Sequence, residues 1–295
     1  MKEIILITGN NGMLAKEAIK ILSSNYEVRT LTTQKKKVNN KSIFYWDISK
    51  KLLDPKALKN CKHIIHLAGY SILKRWTTKN KNKMYESRIK GAELLFNKCR
   101  ELNIKPKTFI SASAMGIYGL KAKGEKNENS NIGTDWVAQM AKDWENAANA
   151  FKKLESRVVK MRISLLLSKK FPLIKYNLLS TKLGVAPIIG SKKNIINWIH
   201  LKDAARFIQE AIQEEKYEGS YNLATENSVS QYELINIIKK QACPFAVIIT
   251  IPNFLLKLVL GEREAILNVK LKLVVDKLIN TGFKYNYHTL EEVIE

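Results

Sequence analysis

The segment Thr8-Gly9-Asn10-Asn11-Gly12-Met13-Leu14-Ala15 is the part of this chain best suited to hold an anion. It follows a strand-like segment over residues 2–8, apolar from Ile4 to Ile7, and opens a stretch with Leu14, Ala18, Ile21 and Leu22 at helical spacing. A strand–loop–helix junction presents the unpaired N–H groups and positive dipole end of the helix to a phosphate. Gly9 permits the tight turn, Gly12 lets the backbone approach a pyrophosphate, and Ala15 is small enough for close helix–strand packing. The expected chemistry is dinucleotide binding, with Gly9, Asn10, Asn11, Gly12, Met13 and Leu14 as contacts. A plain turn is the alternative, since Asn-Gly is a common turn pair.

Some twenty residues on, an acidic side chain would hold the ribose hydroxyls of NAD. The segment there is Leu31-Thr32-Thr33-Gln34-Lys35-Lys36-Lys37, which has no acid. The hydroxyls of Thr32 and Thr33 and the lysines after them suit a 2′-phosphate, so NADP(H) is favoured over NAD(H). The lysines also fit a merely solvated loop. Asp47, with Ile48 beside it, closes the third strand and is a candidate contact for the adenine amine or a cap for the following turn. Arg162 ends the sixth strand and points to the crevice at the strands' carboxyl ends, as a cofactor or substrate contact. His63, His66 and His288 lack metal-ligand spacing, so no metal site is expected.

These residues need a scaffold, and the periodicity supplies one. Strands are expected at 2–8, 26–32, 43–46, 62–68, 108–111 and 157–163, and helices at 13–23, 80–102 and 134–152. That alternation predicts an α/β fold: a Rossmann-type, doubly wound parallel sheet with helices on both faces. After residue 165 the pattern loosens into a smaller C-terminal α+β region. Helices are expected there near 173–182, 202–214, 230–241, 253–260 and 269–280, with short strands at 220–223 and 245–251 and Gly282 as a helix cap. The predicted division places 1–165, with 196–215 returning to it, in the dinucleotide-binding domain. It places 166–195 and 216–295 in the substrate region. The Asn- and Lys-rich stretches 35–42, 77–83 and 121–131 read as exposed loops.

Composition bounds the function. At 295 residues, 45% hydrophobic and 26% charged, the chain can bury a core. Cys61, Cys99 and Cys243 are too few and scattered for a disulfide scaffold and suit a reducing compartment. The longest apolar stretch, 246–260, is interrupted by Pro252, Asn253 and Lys257, so no span and no membrane partner is expected. The N-terminal apolar run reads as a strand, not a leader, and a cytoplasmic location is expected. The net charge of +23 raises nucleic-acid binding, but only eight of the fifty basic residues are arginine, the residue suited to base and phosphate recognition. The lysines are dispersed and no RNP-like motif accompanies them, so no nucleic-acid partner is expected.

Taken together, the motifs resemble the extended short-chain dehydrogenase/reductase superfamily. The loop at 8–15 is similar to its TGxxGxxG/A motif, His66-Leu67-Ala68-Gly69 to its fourth-strand motif, and the segment 111–119 to the one carrying its active-site serine. More narrowly, the whole chain resembles the atypical, sugar-nucleotide-epimerase-like "epimerase family protein" branch. Arg75-Trp76, the segments 87–95 and 110–119, Asp143-Trp144-Glu145, Trp198-Ile199-His200, 222–224 and the tail 281–294 carry that likeness. The resemblance implies a nicotinamide cofactor across the strands' carboxyl ends, lined by Leu67, Ala68, Gly69 and Ser111. It implies Ser113 as the catalytic serine, and Arg88, where many relatives have an asparagine, as a contact for a phosphate or substrate anion. Tyr118 is a further candidate near the nicotinamide, and His200 with Asp203 resembles a structural helix start.

The chain departs from the superfamily at its catalytic pair. Relatives place a tyrosine and, four residues later, a lysine on one helix, where the lysine lowers the tyrosine pKa. Aligned on Glu145, those places hold Val137 and Ala141; Tyr70 and Lys74 form the chain's only such spacing, at the frequency chance allows. The leading expectation is an NADP(H)-binding epimerase or oxidoreductase-like enzyme with a nonstandard proton donor, acting on a small carbonyl or hydroxyl compound such as a nucleotide sugar. The alternative is a noncatalytic NADP(H)-binding sensor or regulatory protein. Either a monomer or a homodimer fits.

Overall fold

The computed structural model describes residues 2–294. Its main sheet is built from β1 (Ile4–Thr8), β2 (Glu27–Thr32), β3 (Ile43–Asp47), β4 (Cys61–His66), β5 (Thr108–Ala114), β6 (Arg157–Ile163) and β7 (Gly219–Leu223). The spatial order is β7-β6-β5-β4-β1-β2-β3, with the pair Leu52–Leu53 closing the far edge antiparallel to β3. Parallel ladders join β1 to β2 and β4, β2 to β3, and β4 to β5. The order reverses at β1, so the crevice at its carboxyl end, where the glycine loop lies, is where such sheets bind ligands. Ile5, Leu6 and Ile7 are fully buried, as a strand covered on both faces requires. This is a Rossmann-type α/β sheet with flanking helices.

The helices begin with α1 (Met13–Leu22), whose apolar stripe Leu14, Ala15, Ala18 and Leu22 is buried. The helix expected over 80–102 is three pieces: α2 (Thr78–Tyr85), a π-helical turn over Glu86–Lys90, and α3 (Gly91–Glu101). The stretch 77–83 is thus not a loop. Thr77 caps α2 by accepting the Asn80 N–H, and Met84 is the one buried residue of the helix, so apolar periodicity carries no signal there. Next comes α4 (Trp136–Asn149), whose Val137, Met140, Ala141, Trp144 and Ala148 are buried as expected.

By packing, the chain divides into two compact units. The first holds the chain up to Ala114, Gln139–Arg162 and Ala204–Tyr221; the second holds Met115–Ala138, Ile163–Asp203 and the chain from Asn222. The second unit contains α5 (Pro172–Lys182), α7 (Gln231–Ala242) and α8 (Asn253–Leu260), while α6 (Leu201–Gln213) lies mostly in the first. Strands Val185–Ile189 and Val247–Ile251 pair in parallel. Ala186 and Ile188 face a core with Leu167, Ile174, Trp198 and Ile238.

The stretch 269–280 is not the helix expected. Lys270–Leu273 is a strand with strict alternation, Leu271 and Leu273 buried and the lysines exposed, and only Asp276–Ile279 is helical. That strand pairs in parallel with Lys123–Lys126, inside the 121–131 stretch read as loop. Both errors share a cause: each strand is four residues long and finds its partner about 147 residues away. Gly282 does adopt the cap conformation, with φ of 79° and its N–H donated to the Ile279 carbonyl.

Candidate functional site

Gly9 ends β1 with φ of 75°. A Cβ there would lie 2.7 Å from the Leu67 carbonyl oxygen and 2.9 Å from the Ala68 nitrogen, so the loop is pressed against the end of β4. The Gly12 N–H donates to the Gly9 carbonyl at 2.8 Å, and Gly12 is the extended N-cap of α1. No side chain caps α1, and its first turn has no acidic residue. Its leading N–H groups therefore lack a side-chain acceptor, the condition a phosphate fills. Asn11 and Met13 are exposed at the rim, Leu14 is buried below, and Asn10 reaches Thr30.

A buried relay fixes the other wall. The Thr8 hydroxyl oxygen accepts the Leu67 and Ala68 N–H groups at 3.1 and 3.0 Å and lies 2.9 Å from His66 Nδ1. With two donors already on its oxygen, the Thr8 hydroxyl gives its hydrogen to Nδ1. This assignment leaves the His66 hydrogen on Nε2, which donates to the Arg88 carbonyl at 2.9 Å. That carbonyl belongs to the π turn, and such turns recur at functional sites. Leu67, Ala68 and Arg88 are thereby positioned by one chain of hydrogen bonds.

Burial lowers the His66 pKa to about 4, so the ring is neutral in the folded protein. An unfolded histidine protonates near pH 6.5. Between these values the unfolded state binds more protons, so stability falls as pH drops from about 6.5 to about 4. The expected loss is on the order of 3 kcal/mol. Urea titrations at pH 7 and pH 4 should show most of it, with about 2 kcal/mol already lost at pH 5, and a His66→Asn variant should lose part of that slope.

The Arg88 side chain is stacked over the Trp144 ring, 5.1 Å from its centroid, and lies against Gly69. Nη1 donates to the carbonyls of Tyr70 and Met84 at 2.9 and 3.0 Å, using both of its hydrogens. Among the described residues no carboxylate pairs with this guanidinium, and burial alone lowers its pKa to about 10. Among the described residues its Nε and Nη2 hydrogens meet no acceptor. That edge is the fork that grips a carboxylate or phosphate in two bonds.

Ser113 stands in a different setting. Its hydroxyl donates at 2.9 Å to the buried Glu145 carboxylate, which also accepts from Ser220 at 3.0 Å. Arg162 binds the same carboxylate in two bonds, Nε to Oε1 at 2.8 Å and Nη2 to Oε2 at 3.1 Å, and Lys160 lies 3.8 Å away. Burial pushes the Glu145 pKa up, but Arg162, Lys160 and Ser113 outweigh it and hold the carboxyl below its ordinary value. Arg162 is thus committed to a carboxylate in the first unit. Glu145 is the residue that sequence reasoning used as an alignment mark without giving it a role. An acid on the apolar stripe of Met140, Ala141, Trp144 and Ala148 was the available signal.

Ser111 is buried and donates to the Ala112 carbonyl. Asp47 accepts from the Ser49 hydroxyl and Lys50 N–H, which is a turn-capping arrangement, with the half-buried Ile48 inside that turn. Thr32 is buried and accepts the Gln34 N–H, while Thr33 is exposed beside a 3-10 turn over Lys35–Lys37. Tyr118 is buried in the second unit and donates to Asn222 Oδ1 at 2.6 Å. Tyr70 donates to Asn80, and Val137 and Ala141 are buried core. Among the described residues no group of three or more His, Cys, Asp or Glu could hold a metal.

Sheet order and flanking helices define a Rossmann-type α/β protein. The NAD dependent epimerase/dehydratase family model matches residues 5–224, and the chain belongs to that family. It is 29% identical over 296 residues to an epimerase family protein of Staphylococcus epidermidis, covering 98% of this chain and 97% of the relative. An epimerase family protein of Staphylococcus aureus is 27% identical with the same coverage. Among solved structures, the human epimerase family protein SDR39U1, determined with NADPH, superposes with a TM-score of 0.83 at 21% identity, over 99% of this chain and 97% of that one. The UDP-N-acetylglucosamine 4-epimerase of Bacillus cereus gives 0.77 at 17% identity, over 100% and 97%.

Proposed function

We propose that the chain binds NADP(H) and acts as an epimerase- or oxidoreductase-like enzyme on a small carbonyl or hydroxyl compound, with nucleotide sugars the leading class. The observation that carries the reading is the uncapped α1 start behind Gly9 and Gly12, pressed onto Leu67 and Ala68. A bound nicotinamide would supply hydride donation and acceptance. In this reading Gly9 to Leu14 hold the pyrophosphate, Leu67, Ala68, Gly69 and Ser111 line the cofactor, and Asp47 with Ile48 borders the adenine. Thr32 and Thr33, with the cationic turn after them, favour the 2′-phosphate. The SDR39U1 structure was determined with NADPH and a UDP-glucuronic acid 4-epimerase of Bacillus cereus with NAD, so the neighbours support a nicotinamide cofactor of either kind. Substrate class rests on neighbours determined with UDP-glucose and UDP-glucuronic acid.

Arg88 offers its open fork to an anionic group of cofactor or substrate. Ser113 is the proposed catalytic hydroxyl. Its hydrogen is committed to Glu145, so its oxygen is the acceptor for a substrate O–H. Arg162 serves the site by holding Glu145. The buried Val137 and Ala141 favour the second reading, a cofactor-binding protein without turnover.

The test is a titration with NADPH and NADH, followed by quenching of tryptophan fluorescence. NADPH should bind at least about tenfold tighter, a difference of about 1.4 kcal/mol. Equal affinities would remove the 2′-phosphate argument, and binding of neither would remove the dinucleotide site. An Arg88→Met arm should weaken NADPH if the fork holds the cofactor. Hydride exchange from bound NADPH to carbonyl substrates separates the enzyme from the sensor.

A further inference from the structure

The second unit carries an apolar face that none of its own described residues covers. In the parallel pair Val185–Ile189 and Val247–Ile251, Ala186 and Ile188 point into the core. Their neighbours Val185, Val247 and Ile249, on the opposite side, are exposed. Just ahead of the pair the Val247 N–H donates to the Gly184 carbonyl, and Leu183 and Phe245 lie in the turns that lead into the two strands. Leu183 is 79% exposed and Phe245 93%. The chain then turns at Pro252 into α8, where Leu256 alone is buried; Phe254 and Leu258 are 71% and 83% exposed, and Leu255 and Val259 are exposed with them. The two phenylalanines by themselves expose roughly 300 Å², at 150–250 Å² for a whole ring side chain. The largest apolar patch of a typical monomer is about 300–600 Å² in all.

The two stretches that build this face carry charge of one sign, and acids begin again only at Glu262 and Glu264 in the turn after α8. No Asp or Glu occurs between Glu155 and Asp203 or between Glu233 and Glu262, the two stretches that build it. Lys175, Lys182 and Lys257 are exposed on α5 and α8, and no described residue pairs with them. A second copy of the chain would bring the same lysines against this rim, at a repulsive cost. A surface that is apolar within and anionic at its rim matches both features, and an anionic bilayer is such a surface.

We propose that this face is a peripheral membrane-docking surface, with Phe254, Leu258 and their neighbours entering the interface of an anionic bilayer and the lysines meeting its headgroups. Among the described residues no helix is long and apolar enough to cross a membrane, so the attachment lies on the surface. It differs from the sequence expectation of no membrane partner, which rested on the missing span.

The test is flotation of the full chain with phosphatidylcholine vesicles, with and without phosphatidylglycerol, at low and high salt. The expected result is recovery with the anionic vesicles at low salt, falling with added salt and absent with the neutral ones. Phe254→Asp and Leu258→Asp, both at exposed positions, should each weaken recovery at least about tenfold. NADPH affinity in these variants monitors the intact fold. Failure to float with anionic vesicles overturns the proposal. So does flotation indifferent to both substitutions, which would mean diffuse lysine adsorption. A dimer by light scattering that Phe254→Asp disperses, without flotation, would assign the face to a second copy.

Discussion

Replacing Glu145 by alanine should cost about 3–5 kcal/mol of stability, the penalty for leaving a buried charge without its partner. The Arg162 guanidinium would lose both of its bonds to that carboxylate, and the Ser113 and Ser220 hydroxyls would lose their acceptor. Each of these groups would then have to be rehydrated or left unsatisfied. Glu145→Gln keeps an acceptor oxygen but removes the charge, so it should fall between alanine and the parent. Urea midpoints of the three proteins at pH 7 give the order. The pH dependence has a defined sign: the Glu145 carboxyl is held below its ordinary value, so its contribution is present above the unfolded value near 4.5 and is lost as pH falls through the folded one. The alanine variant should lack that part of the acid slope. A variant within about 0.5 kcal/mol of the parent would show that the ion pair is replaceable by solvent.

Gly9→Ala is expected to weaken NADPH binding at least about tenfold and to destabilise the fold by about 2–4 kcal/mol. The left-handed backbone at φ of 75° accounts for about 1–2 kcal/mol. The rest comes from overlap, because the new methyl would sit 2.7–2.9 Å from the Leu67 and Ala68 backbone. Moving those atoms away breaks the Thr8 bonds that tie β1 to β4. Gly124→Ala separates the two causes. Gly124 has φ of 68°, but nothing lies within 4 Å of its Cβ position, so backbone strain alone should appear there. Thermal melts with and without NADPH measure both variants. Comparable losses in the two would remove the close-approach argument at Gly9.

Much of this protein was legible because its decisive signals are local. The run from β1 through Gly9 and Gly12 into α1 needs only period, turn chemistry and residue size within twenty positions. The same holds for β2 to β6, for α4, and for the missing acid after Thr32. The expected helix at 80–102 was correct in extent but not in form, because one extra residue per turn in Glu86–Lys90 leaves no mark in composition. The two strands at 123–126 and 270–273 stabilise each other through a ladder whose closure is long-range, so neither short segment declares itself alone.

By itself the sequence determined the Rossmann-type sheet, the loop at its switch point and the absence of the tyrosine–lysine pair, since each depends on residue type at short spacing. Tertiary structure alone decided what the charged residues do. Arg162 and Arg88 look alike on paper, each an arginine near the carboxyl ends of the strands. One is neutralised by Glu145, seventeen residues away in sequence, while the other is held by backbone carbonyls and an indole and keeps an open edge. The exposed face of Val185, Val247 and α8 is likewise invisible in sequence, because an apolar run does not say whether its second side will be covered. The physical reason is shared: a charge's effect and a side chain's burial are set by what the fold brings within a few ångströms, and that neighbourhood is assembled from distant parts of the chain.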